Sequence, residues 1–295
     1  MDLGQKTSFF TLDVISDLAF GQAFGYLETD HDVYGYLEMS KTALPLMMAI
    51  SDVPIIADIL QSRLIAKKLV GQRFRPEAES RFDMLGSFIR HGLSEEEAAG
   101  EALLQIVAGS DTSAGTIRAV MLNVLTTPHI YKRLQDEIDA YVRAGAISSP
   151  VTDSEARSMP YLQAVIKEGL RILPPASGAM FKQVPPGGDV IDGKYLPGGT
   201  QIGASPLGIQ RKKSIYGSDA GHFRPERWME ASSEKAAEMA STVDLVFHYG
   251  KWQCLGKSVA LMEFNKIFVE LFRRFDFSVC RADRPAALSN AVSNY

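Results

Sequence analysis

One helical pattern, running without a break from Ser94 to Thr127, constrains this chain more than any other feature. Ser94-Glu95-Glu96-Glu97 reads as a capping box, in which the serine hydroxyl and the glutamate three residues later satisfy backbone N–H groups reciprocally. Apolar residues follow at Ala102, Leu103, Ile106 and Val107, and again at Val120, Val124 and Leu125. Thr127-Pro128 ends the run, because the residue before proline disfavours the helical region. The predicted helix is long for a globular protein and apolar on most faces, so it should cross the core rather than lie on the surface.

The elements around it are also legible. A second helix carries Tyr131, Leu134, Ile138 and Tyr141 on one face, and a third runs from about Tyr161 to Leu173, where Pro174-Pro175 stops it. From Met180 to Ala204 the texture changes to short apolar runs broken by Pro-Gly clusters. Asp192-Gly193, between Val190-Ile191 and Lys194-Tyr195, is the signal for a tight hairpin. A polar stretch near 232–242 precedes a last strong helix with Val259, Met262, Ile267, Phe268, Leu271 and Phe275 on its apolar stripe. The fold class is therefore mainly α with a small antiparallel β part. The segment 43–60 is mostly apolar, but Pro45, Asp52, Pro54 and Asp58 exclude a membrane span. It reads as a buried pair of short helices, with a peripheral membrane contact as the other reading.

Composition narrows the functional classes. The net charge is −4 and no basic stripe occurs, which argues against nucleic acid as a partner. Only two cysteines are present, Cys254 and Cys280, so no disulfide framework holds the fold, and an intracellular, reducing compartment is the expected setting. Asp2, Gln5 and Lys6 interrupt the start before any apolar run, so no signal peptide is read there.

Just before the last helix lies Phe247-His248-Tyr249-Gly250-Lys251-Trp252-Gln253-Cys254-Leu255-Gly256. A cysteine at a helix N-terminus can be held as a thiolate by the free N–H groups there. A thiolate on haem iron pushes electron density onto the metal and favours O–O cleavage. Gly250 would permit a tight turn, Gly256 a close approach of backbone to a flat ligand, and Phe247 could keep water from the sulfur. Taken alone, the loop also fits an inert buried cysteine, or a nucleophile with His248 as its base.

This loop resembles the haem-binding signature of the cytochrome P450 superfamily, Phe-x-x-Gly-x-Arg-x-Cys-x-Gly, matching at Phe247, Gly250, Cys254 and Gly256. It departs at Trp252, where most members carry an Arg or His that reaches a haem propionate. Further motifs follow the family's order. Ala108-Gly109-Ser110-Asp111-Thr112-Ser113, within the long helix, resembles the segment that bends over the haem. There Ala108 and Gly109 would shape the oxygen pocket, and the acid–alcohol pair, Asp111 and Thr112, would relay protons. Glu168-x-x-Arg171 and the Arg227 of Pro225-Glu226-Arg227 match a structural ion-pair network. Lys182 falls where the family places an Arg on a propionate; lysine keeps the charge without the fork.

The resemblance implies a P450-like fold lacking its N-terminal portion, since family chains begin earlier with an anchor, strands and helices that have no counterpart here. The C-terminus likewise stops soon after Asn290, where a last substrate-facing hairpin would finish. Residues 1–295 would form a single catalytic region: 1–175 mainly helical, 176–210 the small β region, 211–256 the meander and cysteine loop, and 257–295 the final helix and C-terminal strand. The implied cofactor is heme b, iron protoporphyrin IX, with Cys254 as its axial thiolate. The implied activity is a monooxygenase using O2, a small apolar organic substrate and an NADPH-dependent reductase. Substrate contacts would fall near Pro175 to Ala179 and near Ala291-Val292, and Lys251 and Lys257 would meet an acidic reductase surface. The motif wording is most similar to fungal members of secondary metabolism. The alternatives are a truncated, non-catalytic fragment with weak or no haem binding, and a haem-thiolate isomerase or dehydratase, against which the Asp111-Thr112 pair argues.

Overall fold

The computed structural model describes residues 2–41, 67, 69–178 and 182–279. The readings of 43–60, of Ala291-Val292, of Ala179 and of a C-terminal strand lie outside the described residues.

The long helix, α2 (Glu95–Leu125), follows α1 (Leu3–Phe20) in the order used here. Its 31 residues span about 46 Å at the helical rise of roughly 1.5 Å per residue. Both halves of the predicted capping box form at Ser94 and Glu97, and Thr126 caps the far end. The helix passes through two separate cores. Ala98, Ala99, Ala102 and Ile106 pack with Phe9, Leu12, Phe20, Tyr26, Tyr36 and Leu85. Ile117, Val120, Met121 and Val124 pack in the second core, against α3 (Pro128–Arg143), α4 (Pro160–Ile172) and α6 (Lys257–Phe272). Residues 108–113 lie between the two.

Local chemistry explains most boundaries. Pro128 and Pro160 each stand in the first turn of their helices, where a missing N–H costs nothing. Asp192 and Gly193 both have positive φ, 50° and 72°, so the hairpin joining Asp189–Ile191 to Lys194–Leu196 turns as the Asp-Gly pair predicts. A second two-stranded antiparallel sheet pairs Lys182–Gln183 with Gln201–Ile202.

Two expectations need correction. The polar stretch near 232–242 is a helix, α5 (Ser233–Asp244), with the Ser232 hydroxyl accepting the Lys235 N–H at 3.3 Å. Its apolar stripe is only Met239 and Val243, four residues apart and buried, too narrow to stand out in so polar a run. On α6 the buried row is Phe264, Phe268, Val269 and Phe272, whereas Met262 is exposed and Phe275 lies past the helix, also exposed. Apolar residues surround this helix on several sides, so periodicity alone left its facing open. Among the described residues, no helix is long and apolar enough to cross a membrane.

Candidate active site

The cysteine loop is closed by backbone bonding. The Cys254 N–H donates to the Phe247 carbonyl at 2.8 Å, and the Gln253 N–H to the Gly250 carbonyl at 3.0 Å. Gly250 takes φ 65°, which a glycine adopts without a Cβ clash. Phe247 is buried among the core residues and anchors the loop from inside, while Cys254 itself is exposed three residues before α6. Lys257 is paired with Asp244 at 2.5 Å and sits 5.7 Å from the Phe247 ring centroid, so its charge joins the start of α6 to the end of α5. Lys251 instead lies over the exposed Trp252 ring at 5.0 Å.

His248 carries the strain in this loop. Its φ of 62° and ψ of −168° fall in a region reserved almost wholly for glycine, at a cost of about 1–3 kcal/mol. Replacing His248 by glycine should therefore raise stability by about 1 kcal/mol after the extra flexibility of the unfolded chain is subtracted. Chemical denaturation should show the rise; a loss of stability would mean that the imidazole contributes more than the strain costs.

The loop fits a haem on three observations. Among the described residues, no cluster of three or more His, Cys, Asp or Glu side chains could hold a metal with protein ligands alone. A lone sulfur suffices only for an iron already held by a macrocycle. Beside Cys254, the side chains of Tyr249, Trp252 and Leu255 are exposed, Leu255 by 93%, an apolar surface that a flat ligand would cover. Finally, Gly256 keeps the space next to the sulfur free, since a Cβ there would lie 3.8 Å from Sγ.

On α2, Leu104, Ala108 and Thr112 follow at four-residue intervals along one face; Leu104 and Ala108 are exposed and Thr112 partly so. The helix runs unbroken through this segment, with the Thr112 hydroxyl donating to the Ala108 carbonyl at 2.7 Å. Gly109 faces elsewhere. A Cβ there would lie 2.7 Å from Ile15 Cδ1 on α1, so the missing side chain lets the two helices approach. Asp111 is partly buried and accepts a hydrogen bond from the Tyr36 phenol at 3.0 Å. Burial raises its carboxyl above the usual range, opposed by the Tyr36 bond and by the Arg118 charge.

The ion-pair network assembles from distant parts of the chain. Glu168 and Arg171 are fully buried and bond in a fork, Nε to Oε2 at 2.9 Å and Nη2 to Oε1 at 2.7 Å. The buried Arg227 adds a third bond to the same carboxylate at 3.0 Å, joined by the Trp228 indole N–H at 2.9 Å and the Arg224 backbone N–H at 2.8 Å. The spare guanidinium groups hold carbonyls of Gln210, Tyr216, Asp219, Ala220 and His222. The meander is thereby tied to α4. Lys182 is exposed at a sheet edge, and Pro175 is buried just past α4.

The family model for cytochrome P450 matches residues 1–292. The chain belongs to the cytochrome P450 family. Among its relatives, cytochrome P450 monooxygenase ABA1 of Pyricularia oryzae is 45% identical over 97% of this chain and 60% of its own length. Cytochrome P450 monooxygenase aba1 of Botryotinia fuckeliana is 41% identical over the same shares. Pisatin demethylase of Fusarium vanettenii is 30% identical over 96% of this chain and 60% of its own. The chain thus spans about 60% of the length of these relatives.

Motif reading did not single out Tyr36 or Glu263. Tyr36 stands 75 residues before Asp111, with no local pattern linking them. Glu263 is buried on α6, and burial lifts its carboxyl to about 7, with a Ser113 hydrogen bond lowering it less. The sign for stability follows from the proton count. Between about 4.5 and 7 the folded state holds a proton that the unfolded state has released, so stability declines as pH rises through this window and stays lowered above it. Glu263→Gln should thus stabilise the P450 at pH 8 by up to about 3 kcal/mol and have little effect at pH 4. Thermal melts at both values test this; equal effects at the two would show that ionisation is not the cause.

Proposed function

We propose that this chain carries the haem-thiolate catalytic site of a monooxygenase that inserts one oxygen atom from O2 into a small apolar organic substrate. Cys254 supports the reading most directly: a single exposed sulfur at the N-terminus of α6, on a loop closed by backbone bonds, in a chain whose other family motifs follow in order. Cys254 would bind iron protoporphyrin IX, which when bound supplies the redox chemistry of oxygen activation. Phe247, Gly250 and Gly256 hold the loop that presents the sulfur, and Lys182 would face a propionate. Asp111 would hold and pass protons at its carboxylate. Thr112 gives its own proton to the Ala108 carbonyl and keeps its lone pairs free to accept. Ala108 and Leu104 offer an apolar wall, and Glu168, Arg171 and Arg227 keep the framework in place. Electrons would come from an NADPH-dependent reductase, with Lys251 at the contact, in an intracellular reducing compartment. The names of the relatives, a monooxygenase and a demethylase of fungi, support an oxidative activity, with secondary metabolism as the proposed setting.

The test is a carbon monoxide difference spectrum of the purified protein after haem addition and reduction. A red-shifted, thiolate-type band is expected; no haem band, or one typical of imidazole ligation, would overturn the proposal.

A further inference from the structure

The residue that the proposed chemistry leaves without a role is Tyr36. It sits in the first core, 6% exposed, beside Phe9 and Tyr26, yet its hydroxyl is turned toward α2. There it meets two side chains. The phenol donates to Asp111 Oδ2 at 3.0 Å, and the Ser110 hydroxyl lies 3.0 Å from the phenol oxygen. Ser110 is buried and also 2.7 Å from the Ile106 carbonyl, which can only accept.

We infer that Tyr36 is a positioning residue for Asp111, the middle link of a hydrogen-bond chain that can reverse direction and so lets the carboxyl hold or release a proton without moving. This deepens the proposed function and rests on it for its purpose. With Asp111 ionised, the phenol donates to the carboxylate, and Ser110 can donate to the phenol. With Asp111 protonated, the acid O–H donates to the phenol oxygen, the phenol to the Ser110 oxygen, and Ser110 to the Ile106 carbonyl. Every donor has an acceptor in both states, and only hydroxyl rotations connect them. The carbonyl at the end matters: because it has no hydrogen to give, it fixes the direction of the protonated chain.

The surroundings allow both states of Asp111. Burial raises the carboxyl above its ordinary range, and the Tyr36 bond and Arg118 draw it back down. Arg118, two turns on along α2, is itself held by the Ser8 hydroxyl of α1 at 3.0 Å and also feels Asp2. Burial first, then repulsion from Asp111, pushes the Tyr36 phenol far up, so it stays a neutral donor across the working range; Tyr26 adds to this. These are the charged and titratable groups around Asp111 that α1, α2 and the 26–36 segment contribute.

The test needs no turnover. The Asp111 carboxyl is titrated in the intact chain by carbon-13 NMR of labelled aspartate, with Asp111→Asn assigning its signal. Tyr36→Phe removes a bond stronger to the carboxylate than to the acid, so the titration midpoint should rise by about one pH unit. A difluorinated tyrosine at position 36 keeps the ring packing and strengthens the donor, so the midpoint should fall. The fluorinated protein keeps the inference testable should the phenylalanine variant fold poorly. In the haem-loaded protein, Tyr36→Phe should also divert severalfold more reducing equivalents to hydrogen peroxide, with the pH profile displaced in the same direction. Midpoints that ignore both changes overturn the inference, as would shifts of the same sign. The haem reading fails separately, on the carbon monoxide spectrum, which neither change at Tyr36 should alter.

Discussion

Cys254→Ser is expected to abolish the thiolate-type carbon monoxide band entirely while leaving the fold intact. The two side chains are nearly isosteric, and the loop-closing bond comes from the backbone N–H of residue 254 to the Phe247 carbonyl, which serine keeps. The residue is exposed, so no packing is lost. What changes is the donor atom. A hydroxyl remains protonated at neutral pH and gives iron none of the electron density that a thiolate does. Circular dichroism and the thermal midpoint of the protein without haem should match the parent, and only the haem spectrum should differ. A serine variant with an unaltered spectrum would show that another residue binds the iron, and the assignment of the site would fall with it.

Glu168→Gln should produce the largest loss of stability, about 3–5 kcal/mol, as expected when one partner of a buried ion pair is removed. The carboxylate, itself fully buried, accepts from the buried Arg171 and Arg227 and from the partly buried Trp228 and Arg224 backbone. Glutamine has one acceptor oxygen and an amide group that would point N–H bonds at guanidinium N–H groups. Two buried cations would then lack their shared anion. The loss is a large part of the roughly 5–15 kcal/mol that a folded protein commonly has. Urea unfolding would register it directly, with Asp136→Asn as the control. That residue pairs with Lys132 at 2.9 Å, but the two side chains are 59% and 75% exposed, and breaking such a contact should change almost nothing. If the two variants proved equally mild, the network would not be what ties the meander to α4.

Much of this was readable from residues because local chemistry decides it. Ser94 with Glu97, Pro128, and Asp192 with Gly193 each satisfy or forbid particular backbone geometries within a few residues. The structure forms a helix end or a turn at each. The turn of the loop from Phe247 to Gly256 was legible for the same reason, because Gly250 and the backbone bonds that close the loop lie in one short stretch. Reading failed where the answer depended on what lies opposite. Ser232 to Thr242 looked like a polar connection because two buried apolar residues, Met239 and Val243, are enough when a neighbouring element meets them. Gly109 looked like part of an oxygen pocket, yet its lack of a side chain admits Ile15 from α1, over ninety residues away.

The sequence by itself determined the capped long helix, the proline-opened helices after it, the Asp-Gly hairpin and the motif pattern of the family, because each rests on contacts or covalent spacing within a few residues. Only the tertiary structure decided which carboxyls are buried and who bonds to them: Tyr36 on Asp111, two arginines on Glu168, and Ser113 on Glu263. The reason is physical. A charge is stabilised or penalised by whatever surrounds it within a few ångströms, and those neighbours come from parts of the chain that only folding brings together.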